Sequence, residues 1–119
     1  MSALCLAAGA ATARVAATLF TLSWTHTIEK VEWRETWRVD GPTLVLAEAS
    51  VVGSGAGMEP PDTARLVGGR WTWRSESRHA AVELRRAPEA GDWRICADGR
   101  CAPLGTLVDG DPVTMRACP

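Results

Sequence analysis

A histidine, three closely spaced carboxylates and a run of alternating glycines are the residues of this chain best equipped for chemistry. His26, Glu29, Glu32 and Glu35 lie in Trp24-Thr25-His26-Thr27-Ile28-Glu29-Lys30-Val31-Glu32-Trp33-Arg34-Glu35, and Gly53-Ser54-Gly55-Ala56-Gly57-Met58-Glu59-Pro60 follows. His26 next to Glu29 could carry a proton or hold a ligand, since imidazole titrates near neutrality and a carboxylate partner orients it. The competing role is a hydrogen-bonded histidine that pins a turn. Glu35 faces Glu48 if Asp40 to Thr43 form a four-residue loop, because Val39 then faces Leu44 and Trp37 faces Leu46. Two such carboxylates on an otherwise apolar face would resist joint ionisation, and could share a proton, bind a cation or accept hydrogen bonds from an amine. Neutralisation by Arg74 or Arg85 is the simpler fate. Gly53, Gly55 and Gly57 could turn successive N–H groups onto an anion, with Glu59 at the loop's end. The lysine and hydroxyl of a P-loop are missing, and glycine also serves wherever the backbone needs positive φ. No Ser or Cys stands beside a base as an activated nucleophile, so no catalytic residue is assigned.

These residues need strands to position them. Hydrophobicity alternates with period two and no helical stripe appears, which predicts an all-β chain. Phe20, Leu22, Trp24 and His26 share one strand face, and Val31, Trp33, Glu35, Trp37 and Val39 share another. Further strands are expected at Ala3 to Ala8, Leu44 to Ala49, Arg70 to Arg74, His79 to Arg86, Asp92 to Ala97, Leu104 to Val108 and Val113 to Cys118. Turns fall at Gly68-Gly69, Asp98-Gly99 and Asp109 to Pro112, and Gly53 to Thr63 is a long loop. Eight to nine short strands at this spacing fit a single small antiparallel barrel or sandwich spanning residues 1–119.

The chain has 119 residues, 46% hydrophobic and 23% charged, as expected of an ordinary globular domain. Its 13 basic and 14 acidic residues nearly cancel, so net charge favours neither nucleic acid nor an anionic membrane as the main partner. No run approaches the ~20 apolar residues that span a bilayer. The first 13 residues faintly imitate a signal peptide but lack its basic start, and a first strand is preferred. Six Trp residues could dominate the core or, where exposed, mark a partner surface.

Four cysteines allow three pairings. Asp98-Gly99 is a preferred centre for a type I′ hairpin, which puts Cys96 opposite Cys101 in a non-hydrogen-bonded pair about 4.5 Å apart at Cα. That separation suits a disulfide formed in an oxidising compartment; two thiols in a reducing cytosol are the alternative. Cys5 and Cys118 lie near the two chain ends and could join the terminal strands. With no CxxC pair and no histidines at ligand spacing, neither metal nor cofactor is expected.

Phe20 to Lys30, the Glu35 strand, Gly53 to Pro60 and Cys96-Ala97-Asp98-Gly99-Arg100-Cys101 together resemble DUF1850, a domain of unknown function, over nearly the whole chain. The resemblance implies a small bacterial or archaeal domain often encoded beside membrane subunits of TRAP-type solute transporters of the TAXI group. It further implies a periplasmic or extracytoplasmic setting, since such domains often follow an export or membrane segment; a complete, unprocessed N-terminus would instead keep the chain in the cytoplasm. Two functions follow as expectations. One is a noncatalytic accessory module contacting a transporter membrane subunit or its solute-binding protein through exposed Trp and Arg. The other is a small-ligand or proton-handling domain, enzymatic or not, built on His26, Glu29, Glu35 and the Gly53 to Glu59 loop.

Overall fold

The computed structural model describes residues 2–26, 30–52, 59–86 and 91–119. Among them are eleven strands: β1 (Ala3–Ala8), β2 (Ala11–Val15), β3 (Leu19–Thr25), β4 (Glu32–Asp40), β5 (Thr43–Val52), β6 (Arg65–Val67), β7 (Arg70–His79), β8 (Val82–Leu84), β9 (Arg94–Ala97), β10 (Arg100–Pro103) and β11 (Val113–Cys118). They form two antiparallel sheets, β2-β1-β11-β8 and β10-β9-β3-β4-β5-β7-β6. The arrangement is a sandwich, since each sheet keeps two open edges. No helix among the described residues is long and apolar enough to cross a membrane.

Alternation decides which faces meet. Leu4 and Leu6 of β1, Leu84 of β8, and Val113 and Met115 of β11 point from the small sheet onto Phe20, Leu22, Trp37, Val39, Leu44 and Ile95 of the large one. Each of these buried large side chains contributes roughly 1.5–3 kcal/mol relative to exposure. The small sheet covers only part of the inner face of the large sheet. Beyond it Val31 and Val51 make a second cluster, packed by Trp24, Trp33 and Trp73. Among the described residues no strand packs over the outer face of the large sheet.

Several local expectations hold in detail. Asp98 and Gly99 take φ of 53° and 76°, as a type I′ turn requires, and Cys96 pairs opposite Cys101. The Cys96–Cys101 bridge is present with Cα atoms 4.0 Å apart. Cys5 is bonded to Cys118 diagonally across β1 and β11, where Ala3 stands opposite Cys118 and Arg116 opposite Cys5.

Elsewhere the structure corrects the sequence reading. Leu104 to Val108 is not a strand: Leu104–Thr106 is a 3-10 turn, with Leu107 and Val108 N–H both donating to the Leu104 carbonyl. Buried Leu104 anchors this turn in the core, and its N–H donates to the Trp93 carbonyl. His79 ends β7 rather than starting a strand, so the segment expected to run to Arg86 is reduced to β8. β2, whose small residues carry little alternation, was not anticipated.

One close approach yields a test. A Cβ on Gly110 would stand 2.6 Å from Ala8 Cβ in β1. Gly110→Ala is therefore expected to destabilise by about 2 kcal/mol through overpacking. Gly91→Ala, with nothing within 4 Å among the described residues and no positive φ, is expected to be nearly neutral in the same denaturant titration.

Candidate functional site

Rungs along β3 and β4 place the inner-face candidates. Reading inward from the loop, His26 pairs with Val31 through its N–H and the Val31 carbonyl, Trp24 with Trp33, Leu22 with Glu35, and Phe20 with Trp37. Lys30 N–H also donates to the His26 carbonyl. At ~3.4 Å per residue, Val31 and Glu35 are about 14 Å apart, with the Trp24–Trp33 rung between. His26 and Glu35 therefore belong to separate places. Glu29, Gly53, Gly55 and Gly57 lie outside the described residues, and Glu59 is exposed.

The expected Glu35–Glu48 pair does not form. Val39 faces Leu44 and Trp37 faces Leu46 as the turn dictates, but β5 then carries one extra residue, Ala47. Past this bulge Thr36 faces Glu48 and Glu35 faces Ala49. One inserted residue flips the face of everything after it, so Glu48 points to the outer side and is exposed, opposite Arg74.

Glu35 has a different role. It is half-buried between Leu22 and Ala49 across the sheet and between Trp33 and Trp37 along its own strand. Trp33 Nε1 donates to Glu35 Oε2 at 3.0 Å, and Trp37 Nε1 donates to Glu35 Oε1 at 2.9 Å. Among the described residues no Arg, Lys or His makes an ion pair with it. One carboxylate thus fixes two indoles that serve two clusters: Trp37 in the main core and Trp33 in the smaller one. Trp33 meets Trp73 edge-on at 5.4 Å, and Trp37 meets His79 edge-on at 5.6 Å. The spacing Trp33-x-Glu35-x-Trp37 was visible in the sequence, because i−2 and i+2 on a strand share a face with i.

The aromatic surface continues to an open edge. Trp71 of β7 pairs with Val51 on one side and Leu66 of β6 on the other, and it is 38% exposed while Leu66 is 60% exposed. On the β3–β9 side, Trp24 lies edge-on to Trp93 at 6.4 Å beside a cleft of about 410 Å³ that Lys30, Glu32 and Asp92 also line.

The outer face is charged. Glu32 accepts from Arg70 Nη1 at 2.6 Å and from Arg34 Nη2 at 3.2 Å, and Arg70 Nε donates to Ser50 Oγ at 2.9 Å. Arg78 pairs with Asp40 at 2.8 Å and Arg38 with Glu76 at 2.9 Å. The Arg38 hydrogen bond and positive charge hold the Glu76 carboxyl below its ordinary range, and Glu76 raises Arg38 in return. Among the described residues no group of three or more His, Cys, Asp or Glu is placed to hold a metal ion.

Among the described residues these positions bring together no acid, base and nucleophile. In the comparison with known proteins, the family model of the domain of unknown function DUF1850 matches residues 20–104. No curated protein and no solved structure matches the chain.

Proposed function

The chain belongs to the DUF1850 family, and from that premise we propose that residues 1–119 act as one noncatalytic binding module, an accessory to a TRAP-type solute transporter. The observation that carries the noncatalytic reading is Glu35. Its two oxygens are engaged by Trp33 and Trp37, and its supposed partner Glu48 lies on the other face of the sheet. A carboxylate used in this way organises aromatic side chains. Exposed Trp71, with Leu66 beside it at the end of the same aromatic surface, is suited to contact a protein partner, since Trp is among the side chains that most often carry binding energy. The transporter, through its membrane subunit or its solute-binding protein, is the partner that the family resemblance implies. Two disulfides support an oxidising, periplasmic or extracytoplasmic location.

The test is recovery of the tagged chain from mildly solubilised membranes of its own cell. Stoichiometric, wash-resistant recovery of a TRAP-type membrane subunit or solute-binding protein is expected. Recovery of the chain alone, in good yield and with an accessible tag, would overturn the accessory role.

A second reading rests on one further observation. The donors to Glu35 are neutral, so its negative charge has no cation beside it among the described residues. A small ligand with a cationic group, held against Trp33 and Trp73, would use that charge.

A further inference from the structure

The near-neutral net charge of this chain hides a segregation by sheet face. Strand pairing puts Arg34, Arg38, Arg65, Arg70, Arg74, Arg78 and Arg94 on the outer face of the seven-stranded sheet. The same registers put four carboxylates there, Glu32, Asp40, Glu48 and Glu76. Seven arginines against four carboxylates leave an excess of three positive charges on one face of a chain whose formal charge is −1. The excess is available to a partner. Arg65, Arg74 and Arg94 are exposed, and among the described residues they make no ion pair.

Two further features share this face. Three of the large exposed aliphatic side chains stand on it: Leu19 opposite Arg38, Val52 opposite Glu32, and Val67 opposite Arg70. Leu19 and Val67 are each 60% exposed, at opposite ends of the strands. In addition, Arg65 and Arg74 border a groove of about 560 Å³ that Thr63 and Thr72 also line, with Glu48 opposite Arg74 at its wall. Guanidinium groups beside hydroxyls suit a phosphate, because the planar fork donates to two oxygens at once.

We propose that the outer face of the seven-stranded sheet docks on an anionic lipid surface, with Arg65, Arg74 and Arg94 on headgroup phosphates and Leu19, Val52 and Val67 at headgroup depth. Charge complementarity selects this occupant over a neutral protein surface, and exposed aliphatic side chains on the same face suit the apolar layer just beneath the headgroups. Lipid attraction of this kind falls off within a Debye length, so only arginines on the contacting face count. The proposal is independent of which transporter subunit the chain contacts, because it needs lipid and this chain alone.

The test is co-sedimentation of the purified, disulfide-intact chain with vesicles containing about one third phosphatidylglycerol in phosphatidylcholine, compared with phosphatidylcholine alone. Salt-sensitive binding to the anionic vesicles only is expected. Each arginine near such a surface is worth roughly fivefold in partitioning, so R65Q/R74Q/R94Q is expected to lose about a hundredfold. The charge-matched control R85Q/R100Q/R116Q removes the same number of arginines away from that face and is expected to bind like wild type. No binding to anionic vesicles, equal binding to neutral ones, or equal loss in both triple variants would overturn the proposal. Circular dichroism of each variant keeps misfolding from being mistaken for lost binding.

Discussion

Glu35→Ala is expected to destabilise the chain by about 3 kcal/mol, and Glu35→Gln by about half as much. The carboxylate accepts one N–H from each of two tryptophans, and a hydrogen bond to a charged group is worth roughly 1.5–3 kcal/mol. Glu35 is half-buried, which puts each bond toward the lower end of that range. Alanine removes both acceptors and leaves the two indole N–H groups without the partner that Glu35 supplied between Leu22 and Ala49. Glutamine keeps one acceptor oxygen but turns an amide donor toward the second indole. Near-ultraviolet circular dichroism should change as well, since Trp33 and Trp37 lose the group that orients them. Chemical denaturation of both variants checks the ordering. A more stable alanine variant would contradict it, and would mean that the carboxylate is held at a cost for a ligand.

Loss of the bridge between Cys5 and Cys118 should cost more. The sequence separation is 113 residues, and closing a loop of that length removes roughly 4–5 kcal/mol of chain entropy from the unfolded state. Cys96–Cys101 closes a separation of five within a hairpin already set by Asp98-Gly99, and the same relation gives about 2 kcal/mol. C5S/C118S is thus expected to fall by about twice as much as C96S/C101S, a large share of the ~5–15 kcal/mol that holds a small domain. The measurement is the urea midpoint of each double variant under non-reducing conditions, multiplied by a slope that must stay comparable between them. Equal losses would show that unfolded-state entropy does not explain how the terminal strands β1 and β11 are held.

Much of the fold was legible because its signals are local. Alternation from Phe20 to His26 and from Val31 to Val39 identifies both strands and their inner faces, and Asp98-Gly99 specifies its hairpin and hence the Cys96 pairing. The terminal bridge rested on chain position alone, since nothing local tells that β1 and β11 lie side by side. What was not legible depends on a single inserted residue or on pairing at long range. Ala47 looks like any other alanine in an alternating run, yet it turns Glu48 from a partner of Glu35 into an outer-face neighbour of Arg74. Leu104 looks like a strand residue because it is apolar, but it is buried through a 3-10 turn. The charged face was hidden for another reason. Net charge sums over both sheets, whereas a partner meets one face, and only the register of six strands shows that the arginines gather there.

The separation of Glu35 from any chemistry is tested most directly by repeating the membrane purification with Glu35→Gln beside wild type, at a temperature where both are folded. A noncatalytic accessory module with Glu35 as an internal support predicts that both recover the same transporter component at the same stoichiometry. Recovery of that component by wild type but not by folded E35Q would make Glu35 part of the binding site, and the role assigned to it here would be wrong.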